Sequence, residues 1–529
     1  MMNIAKYAYL ISLLLVVGCD RSIDIQGTDI QGTDVQSTDS QVTNVSPSVI
    51  PAINKWTGGV GVFSLAEKAA ILADDELKNL AEIFAEDINA ITGKTIKIGS
   101  IAGKGKIQLL LDINDIALGN EGYVIEINDT ITIKANAKTG LFYGTQTLLQ
   151  MLVQDVSNHG LPKGTIRDIP LVENRQFMLD VGRKFFSMDY LKRTIRNMAW
   201  YKLNTFHLHF TEWSGFRLQS DKFPGLASDQ SYSKKDLREI QDYAARYNVM
   251  IIPEIDLPAH ATHIIKYNPD FGFSCDSMLT AKWLPKEVNE QKVGWILNMT
   301  KVEVREFVHE LLEEFIPLFD APYFFIGGDE WQYDNQKSEC KELVDFAKQS
   351  GYEHTGDVFV EWINEINEQV KSHGKTTQIW NWWRFSPDEK FKNETDTQPN
   401  KDIIVNVWNK QREAQIIADG YSVILTTEEG PGALYSTPGL GGTKPGDYAY
   451  FDSQFIYEQW QPNLAESVKG YKVCLWSDGA EHQTERWFDQ HIETQKAVFS
   501  ERVWSSHTNG TIRDFYDKQK SIGYAPINL

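Results

Sequence analysis

Two carboxylates stand side by side at the end of an apolar run, and no other part of this sequence is better placed to do chemistry. The run YFFIGGDEW covers residues 323–331 and closes with two glycines, Asp329, Glu330 and a tryptophan. Its apolar part is typical of a parallel strand buried on both faces, and the glycines let the backbone turn at the carboxyl end. Barrels and open α/β sheets carry their catalytic residues at that end. Two acids there indicate acid–base chemistry, such as cleavage of a glycosidic bond.

The elements that must position these acids follow a regular pattern. Strands and helices alternate after residue 173, with helical stretches such as 189–200, 234–247, 302–319 and 358–373 between the strands. Eight strands are predicted, at 177–181, 205–210, 249–255, 323–326, 376–380, 403–407, 422–425 and 472–475. Such alternation over about 330 residues predicts a (β/α)8 TIM barrel.

Nearly every predicted strand ends in a residue that could contribute to a site. These residues are Asp180, Arg183, the segment 207–212, Glu254, Asp256, Trp380, Trp408, Trp476 and Asp478. Contact with water explains polar strand ends, but it explains poorly why three strands end in tryptophan. The pattern therefore favours one site at the carboxyl end of the barrel.

A smaller α+β domain is predicted over residues 51–170, ahead of a barrel over 171–529. Apolar periodicity indicates helices at 67–90 and 137–153, and alternation indicates strands at 107–111, 123–127 and 131–134. The turn Asn128-Asp129-Thr130 is suited to join the last two strands as a hairpin. The fold class is thus α/β, with two folded domains.

The first fifty residues read as a targeting segment and a tether. Lys6 precedes an apolar run that ends in V-V-G-C, so residues 1–18 resemble a bacterial lipoprotein signal peptide and Cys19 is expected to carry lipid. A plain signal peptide with a chance cysteine is the alternative. Residues 19–50 include a polar five-residue repeat and are predicted to be disordered. We expect a location in the bacterial cell envelope, facing the periplasm or the cell surface.

The amino-acid composition limits the classes of molecule that the protein can be expected to bind. The 529 residues carry a formal charge of −20, which argues against nucleic acid as a partner. The 15 Trp, 21 Tyr and 26 Phe suit both packed cores and stacking on sugar rings. Cys275, Cys340 and Cys474 have neither zinc-site spacing nor the pattern of a disulfide framework, so we expect buried thiols with at most one bridge.

Six motifs in order resemble glycoside hydrolase family 20, the β-N-acetylhexosaminidase family. They are AKTGLFYGTQTLLQML (137–152), NRQFMLDVGRKFF (174–186), YKLNTFHLHFTEWSGFRL (201–218), PEIDLPAH (253–260), GGDEW (327–331) and VCLWSD (473–478). The resemblance covers both predicted domains. It implies hydrolysis with retention of configuration, in which the 2-acetamido group of the substrate attacks the anomeric carbon and forms an oxazolinium intermediate. It implies no metal and no organic cofactor.

The resemblance also implies roles for the residues that act on the acetamido group. Glu330 would be the general acid and later the base, with a pKa raised by its surroundings. Asp329 would stay ionised and orient the acetamide N–H. Tyr435 would donate a hydrogen bond to the acetamide oxygen. His260 and Asp256 would tune Glu330 from behind, although His260 could also be an ordinary core histidine.

The remaining roles concern the rest of the sugar. Arg175 would bind ring hydroxyls with its fork of donors, and Asp478 would accept hydrogen bonds from hydroxyls. Glu212 would lie behind the acid pair together with His260 and Asp256 and would support it. Three tryptophans would wall the pocket, although any one of them could be an ordinary core residue: Trp380, Trp408 and Trp476.

The implied function is that of an exo-acting enzyme that removes terminal β-linked N-acetylhexosamine from oligosaccharides or glycoconjugates. The motifs HFTE-x-x-GFR and WSD, which contain Glu212 and Asp478, resemble more closely the lacto-N-biosidase branch, which releases a Gal-GlcNAc disaccharide. A surface carbohydrate-binding lipoprotein without catalysis is a rival from another class. The adjacent acids argue against it, because a binding protein need not keep a proton donor.

Overall fold

The structure, a computed structural model, describes residues 43–526 apart from 66–68, 100–105, 112–114, 156–158, 281–285, 332–339, 382–394, 441, 443 and 445–446. The predicted signal peptide, Cys19 and most of the predicted tether lie outside the described residues. The end of the predicted tether is folded, contrary to expectation. The Asn44 side chain donates to the Lys163 carbonyl at 3.0 Å, and the Ile50 backbone N–H donates to Gln150 Oε1 at 2.8 Å.

A seven-stranded mixed sheet forms the amino-terminal domain. Its strands in chain order are β1 (Lys55–Phe63), β2 (Ala70–Leu72), β3 (Lys97–Ile98), β4 (Ile107–Leu111), β5 (Tyr123–Ile127), β6 (Ile131–Ala135) and β7 (Leu161–Asp168). The order across the sheet is β1-β7-β5-β6-β4-β2-β3. The predicted hairpin of β5 and β6 is present, with Asn128 N–H donating to the Thr130 carbonyl at 2.9 Å.

Two helices pack on this sheet, α1 (Lys78–Thr92) and α2 (Lys138–Gln154). The helix predicted over 67–90 begins only at Lys78, because Ala70–Leu72 pairs with the neighbouring strands β3 and β4. The second helix is buried along its whole middle, from Gly140 to Leu152. A helix that is buried on all sides packs against more than one part of the fold. The sheet covers one side of α2, and the Trp200 carbonyl of the barrel accepts from Gln150 Nε2 at 2.8 Å on another.

Eight parallel strands close into the predicted barrel. In chain order they are β8 (Asn174–Asp180), β9 (Thr205–His209), β12 (Met250–Leu257), β13 (Tyr323–Gly327), β14 (Thr376–Trp380), β15 (Ile404–Val407), β16 (Ser422–Leu425) and β18 (Val468–Leu475). Each pairs with the next, and β18 pairs with β8 to close the ring. Three short strands lie outside the ring: β10 (Thr211–Glu212), β11 (Gly215–Phe216) and β17 (Tyr435–Ser436).

Helices surround the barrel. They are α3 (Met188–Trp200), α4 (Lys234–Arg246), α5 (Thr262–Tyr267), α6 (Lys286–Gln291), α7 (Val302–Phe315), α8 (Lys341–Gln349), α9 (Thr355–Ser372), α10 (Lys410–Ala418), α11 (Ser453–Glu458), α12 (Glu485–Trp504) and α13 (Ile512–Ile522). Local sequence fixes several helix starts. For α4, the Ser233 hydroxyl accepts from the Asp236 backbone N–H, while the Asp236 side chain accepts from that of Ser233. None of the helices in the described ranges is both long and apolar enough to cross a bilayer.

One disulfide joins two loops at the carboxyl end of the barrel. Cys275 follows the third barrel strand and Cys340 follows the fourth, and the two are bonded across a sequence separation of 65. The expectation of at most one bridge is met. Cys474 remains a buried thiol on β18.

Candidate active site

A cavity of about 270 Å³ opens at the carboxyl end of the barrel strands. Its described lining consists of Arg183, His260, Asp329, Glu330, Trp408, Tyr435, Thr437, Leu440, Tyr448, Trp476 and Asp478. Five different barrel strands, β8, β12, β13, β15 and β18, deliver seven of these residues just beyond their ends. The structure therefore brings together Asp329, Glu330, Trp408, Tyr435, Trp476, Asp478 and His260, as the sequence predicted.

The turn that presents the acid pair needs glycine at its first position. Gly327 has a φ of 71°, and a Cβ there would lie 1.7 Å from Asp256 Oδ1. Asp256 in turn accepts from the Gly328 N–H at 3.2 Å. Glu330 itself has a φ of 44°, in the left-handed region that side chains rarely adopt. Backbone strain of this kind is held by surrounding contacts and is common at functional sites.

His260 sits behind both acids. Its Nε2 is 3.6 Å from Asp329 Oδ2, 3.6 Å from Glu330 Oε2 and 3.8 Å from Asp256 Oδ2. Its Nδ1 is 2.9 Å from Glu212 Oε1. Burial lowers the pKa of His260, but Glu212, Asp256 and Asp329 outweigh that effect and hold the pKa well above its ordinary value. The imidazole is therefore a cation that faces the acid pair.

Glu330 has the electrostatics of a proton donor. Burial raises the pKa of its carboxyl, His260 opposes the rise and the neighbouring Asp329 adds to it, so that the pKa is about 7. A carboxylic acid that titrates near neutral pH can give up its proton and take it back within one reaction cycle.

Arg183 gathers the polar groups on the other side of the cavity. Its Nη1 donates to Asp180 Oδ2 at 2.9 Å and lies 2.6 Å from Glu212 Oε1, and its Nε lies 3.2 Å from Asp478 Oδ1. The guanidinium carbon lies 5.4 Å from the ring centroid of Trp476. Burial raises the pKa of Asp478 to about 6, although Arg183 opposes that rise. Arg183 thus links the wall of the cavity to Glu212 beneath it.

A short strand brings Tyr435 to the aromatic wall. Tyr435 on β17 pairs with Cys474 on β18, and Trp476 N–H donates to the Ser436 carbonyl at 2.9 Å. The ring centroids of Tyr435 and Trp476 are consequently 6.0 Å apart. Burial raises the pKa of Tyr435, so its hydroxyl keeps the proton needed for a donor.

Arg175 is not in the cavity, and its predicted role in binding sugar hydroxyls is wrong. It is the second residue of β8, at the amino end of the barrel, whereas Arg183 follows the carboxyl end of the same strand. Arg175 Nη1 donates to Glu121 Oε2 at 2.7 Å, and its guanidinium lies over the Trp504 ring at 5.0 Å. Arg175 therefore joins the amino-terminal domain to the barrel.

Trp380 also departs from its predicted position in the wall. It is 1% exposed and is not among the cavity-lining residues in the described part of the chain. Its Nε1–H donates to Glu254 Oε1 at 2.7 Å, and its ring lies 6.1 Å from that of Trp476. Trp380 therefore packs behind the aromatic wall.

Four residues near the cavity were not expected from the sequence. Thr437, Leu440 and Tyr448 line it, and Tyr448 hydrogen-bonds to the buried Glu428. Burial raises the pKa of Glu428 to about 8. All four lie in the long segment between β16 and β18, which has no periodic pattern that would mark residues facing the site.

Asp256 and two residues of the cavity lining, His260 and Asp329, have possible metal-ligand atoms within 4.8 Å of one another. A metal would need a neutral His260 nitrogen as ligand. The contact of His260 with Glu212 and its raised pKa favour the imidazolium instead. We therefore assign these groups to proton chemistry.

Comparison with known proteins places this arrangement in a family. The model of the glycosyl hydrolase family 20 catalytic domain matches residues 173–507, and the model of glycosyl hydrolase family 20 domain 2 matches residues 46–169. Among curated relatives, the lacto-N-biosidase of Bifidobacterium bifidum is 26% identical in an alignment of 497 residues that covers 91% of this chain and 42% of that protein. The beta-hexosaminidase of Porphyromonas gingivalis is 26% identical over 521 residues, with 91% and 63% covered. The chain thus spans less than two thirds of the length of each of these two relatives.

Solved structures agree in fold. The beta-N-acetylhexosaminidase from Bacteroides fragilis superposes with a TM-score of 0.73 at 21% identity, covering 90% of this chain and 96% of that one. The Streptomyces plicatus beta-hexosaminidase, solved as a mutant with GlcNAc, gives 0.71 at 23% identity, with 90% and 94% covered. Because the catalytic-domain model matches more than half of the sequence, the chain belongs to glycosyl hydrolase family 20.

Proposed function

We propose that this protein is an exo-acting β-N-acetylhexosaminidase that removes terminal β-linked N-acetylhexosamine with retention of configuration. One observation carries the proposal. Asp329 and Glu330 both lie 3.6 Å from the same nitrogen of His260, inside a cavity walled by aromatic rings. A proton donor and a second carboxyl group therefore meet where a sugar ring can stack.

Glu330 acts first as the general acid. Its carboxyl, with a pKa of about 7, protonates the glycosidic oxygen as the bond breaks. In the second step the resulting carboxylate takes a proton from the water that attacks the anomeric carbon. One group serves in both directions, as microscopic reversibility requires of a retaining enzyme.

The substrate itself supplies the nucleophile. The described cavity lining contains three carboxyl groups, and Arg183 engages one of them, Asp478. Asp329 is next to the acid in sequence and shares its contact with His260. We infer that Asp329 accepts a hydrogen bond from the acetamide N–H, while Tyr435 donates one to the acetamide oxygen. The carbonyl then attacks the anomeric carbon and forms the oxazolinium, whose positive charge Asp329 offsets.

Arg183 takes the role that was expected of Arg175. Two carboxylates, Asp180 and Glu212, hold its guanidinium in place, and its Nε reaches toward Asp478 on the cavity wall. A guanidinium donor and a carboxylate acceptor so close together suit neighbouring hydroxyls of a pyranose ring. We propose that this pair fixes the sugar while Trp408 and Trp476 enclose it.

Substrate assistance can be tested by weakening the substrate's own nucleophile. With aryl N-acetylglucosaminides whose acetyl group carries one, two or three fluorines, the proposal predicts a steep fall in kcat/KM with each fluorine. A rate that is independent of fluorination would overturn the mechanism. Asp329→Asn should cost most of the rate on the unfluorinated substrate, because the oxazolinium loses its counter-charge.

A lacto-N-biosidase is the second candidate. The similarity to the B. bifidum enzyme over 91% of the chain favours it, whereas the small described cavity favours a single sugar. Nitrophenyl GlcNAc and nitrophenyl Gal-GlcNAc separate the two. We expect faster release from the monosaccharide, and release only from the disaccharide would establish the alternative.

We also propose that the protein is held in the bacterial cell envelope through lipid on Cys19. The motif V-V-G-C that ends at this cysteine supports the proposal. The wild type should partition into the detergent phase of a Triton X-114 separation, and Cys19→Ser should remain in the aqueous phase. Equal partitioning of both proteins would contradict lipidation at this residue.

A further inference from the structure

A network of buried side chains runs from the middle of the barrel to the acid pair. Its members, in order, are Lys472, His207, Glu254, His209, Glu212 and His260, and all are at most 5% exposed. Strand register creates it, because β9 and β12 pair with His209 opposite Glu254, and only β8 separates β9 from β18. The mechanism proposed above uses only the last two members. The other four form a line of polar groups that needs its own explanation.

Lys472 is the end of this network that lies farthest from the cavity. Its Nζ is 2.9 Å from His207 Nδ1 and 4.7 Å from the ring centroids of Phe325 and Trp380. Among the described residues no carboxylate lies close enough to form an ion pair with it, although Glu254 and Cys474 act on it from farther away. Burial lowers its pKa to about 8. A buried ammonium without a paired acid is costly, which suggests that it serves a purpose.

The contact with Lys472 decides where the proton of His207 lies. An ammonium group only donates, so His207 Nδ1 must be the acceptor and the imidazole carries its proton on Nε2. That nitrogen faces Glu254 Oε2 at 2.9 Å. Burial and Lys472 together lower the pKa of His207 to about 3, so the ring stays neutral. Lys472 thereby selects one tautomer of a neutral histidine.

Glu254 then receives donors on both oxygens. His209 Nδ1–H donates to Oε2 at 2.6 Å, Trp380 Nε1–H donates to Oε1 at 2.7 Å, and His207 Nε2 lies 2.9 Å from Oε2. Burial raises the pKa of Glu254, but the two histidines outweigh it and hold the pKa below its ordinary value. Glu254 is an ionised carboxylate even though it is fully buried.

From Glu254 to the cavity, negatively and positively charged side chains alternate. His209 lies between two carboxylates, with Nδ1 on Glu254 and Nε2 3.3 Å from Glu212 Oε1, so both of its nitrogens donate and the ring is cationic. Glu212 is anionic beside His209, Arg183 and His260. His260 is again cationic and points its Nε2 at the acid pair. The tautomer of His207 sets the start of this sequence.

We propose that Lys472 is a positioning residue for catalysis, which acts by fixing the tautomer of His207. The fixed tautomer in turn keeps the side chains of the network, up to His260, ionised and correctly oriented. Without the ammonium, His207 could carry its proton on Nδ1 and turn a lone pair toward Glu254. Glu254 would then have to gain a proton or give up its hold on His209. The proposal rests on the proposed function for its kinetic consequences only, since the tautomer can be observed directly.

The first test is an NMR measurement on the full chain labelled with ¹⁵N-histidine, with the His207 signals assigned by their loss in His207→Gln. In the wild type we expect a neutral ring with the proton on Nε2 at pH values below about 8, where Lys472 keeps its own proton. In Lys472→Met the proton should move to Nδ1 or the ring should begin to titrate. A wild-type proton on Nδ1, or an unchanged tautomer in Lys472→Met, would overturn the proposal. Should the Met variant not fold, the wild-type spectrum alone decides.

The second test separates positioning from general stability. With aryl GlcNAc, Lys472→Met should lower kcat about tenfold with little change in KM, because the cavity lining is untouched. Lys472→Gln should restore most of the rate, since its amide can still donate to His207.

Lys496 provides the control. It is another fully buried lysine, and it pairs with Glu493 at 2.8 Å outside the network. In Lys496→Met we expect an unchanged kcat per folded molecule. Equal losses in Lys472→Met and Lys472→Gln, or in the control, would contradict the proposal. If aryl GlcNAc is no substrate at all, the proposed function fails while the NMR result still decides the tautomer.

Discussion

Arg183 organises three carboxylates, and a lysine could not do so. Its Nη1 serves Asp180 and Glu212 while its Nε faces Asp478, a geometry that requires the planar fork of a guanidinium. We predict that Arg183→Lys lowers kcat/KM on an aryl N-acetylhexosaminide about one hundredfold. The neighbouring Lys184, whose Nζ lies 5.5 Å from the Phe186 ring centroid, provides the control. Lys184→Met removes a positive charge from the residue next to Arg183 and should leave kcat/KM within about twofold. An Arg183→Lys variant with nearly the wild-type kcat/KM would mean that a positive charge suffices and the fork is not needed.

The choice between Arg175 and Arg183 shows what the sequence could and could not tell at the residue scale. Both arginines belong to one motif, and resemblance alone favoured the first. Five residues of extended strand, roughly 16 Å, separate position 175 from position 180, where the strand ends. The rule that barrel sites use carboxyl ends would have chosen Arg183. The tautomer of His207 could not be predicted, because it depends on the register between strands that are distant in sequence.

At the element scale, the turn after β13 depends more on Gly327 than on Gly328. A Cβ on Gly327 would lie 1.7 Å from Asp256 Oδ1, whereas a Cβ on Gly328 meets nothing closer than Ile363 Cδ1 at 3.4 Å. Both residues have positive φ, so backbone strain is common to the two. We predict that Gly327→Ala removes nearly all activity and lowers the melting temperature, while Gly328→Ala loses activity partially. Equal effects in activity and thermal unfolding assays would show that strain alone governs this turn.

The disulfide between the third and fourth strand loops should stabilise the fold. It closes a separation of 65 residues. The entropy of the unfolded chain sets an upper value of roughly 4 kcal/mol for such a loop, and disulfides typically contribute about 2 to 4 kcal/mol. The double variant Cys275→Ser/Cys340→Ser should lose that amount of unfolding free energy in urea titrations. Reducing agent should lower the stability of the wild type to a similar level and leave the double variant unchanged. A wild type that is insensitive to reduction would contradict this contribution.

Elements were predicted with uneven success, for a physical reason. The eight barrel strands have apolar runs because both of their faces are buried, and all eight were located from the sequence. In the amino-terminal domain, strands β1 and β7 were not recognised. Both are paired antiparallel, and β1 contains Gly58, Gly59 and Gly61 in place of a clear alternation. The strand β2 was absorbed into a predicted helix because three apolar residues fit either period.

On the scale of the whole molecule, Arg175 forms an ion pair that connects the amino-terminal domain to the barrel. Its side chain is fully buried and pairs with Glu121 at the amino end of the barrel. Removing one partner of a buried ion pair typically costs about 3 to 5 kcal/mol, because the other charge loses its counterpart. We predict that Arg175→Ala lowers the unfolding free energy by about that much and leaves kcat and KM of the folded enzyme unchanged. A changed KM without a change in stability would return Arg175 to the substrate site.

Glu330→Gln offers the most direct test of the account as a whole, since the whole fold converges on one proton donor. The pKa of about 7 predicts that kcat/KM of the wild type on nitrophenyl GlcNAc falls as the pH rises through about 7, because the carboxyl loses its proton. In Glu330→Gln we predict a kcat/KM lower by about 10²- to 10⁴-fold and no such fall with pH. A variant that keeps nearly the wild-type rate, or retains the same dependence on pH, would contradict the assignment of Glu330 as the catalytic acid.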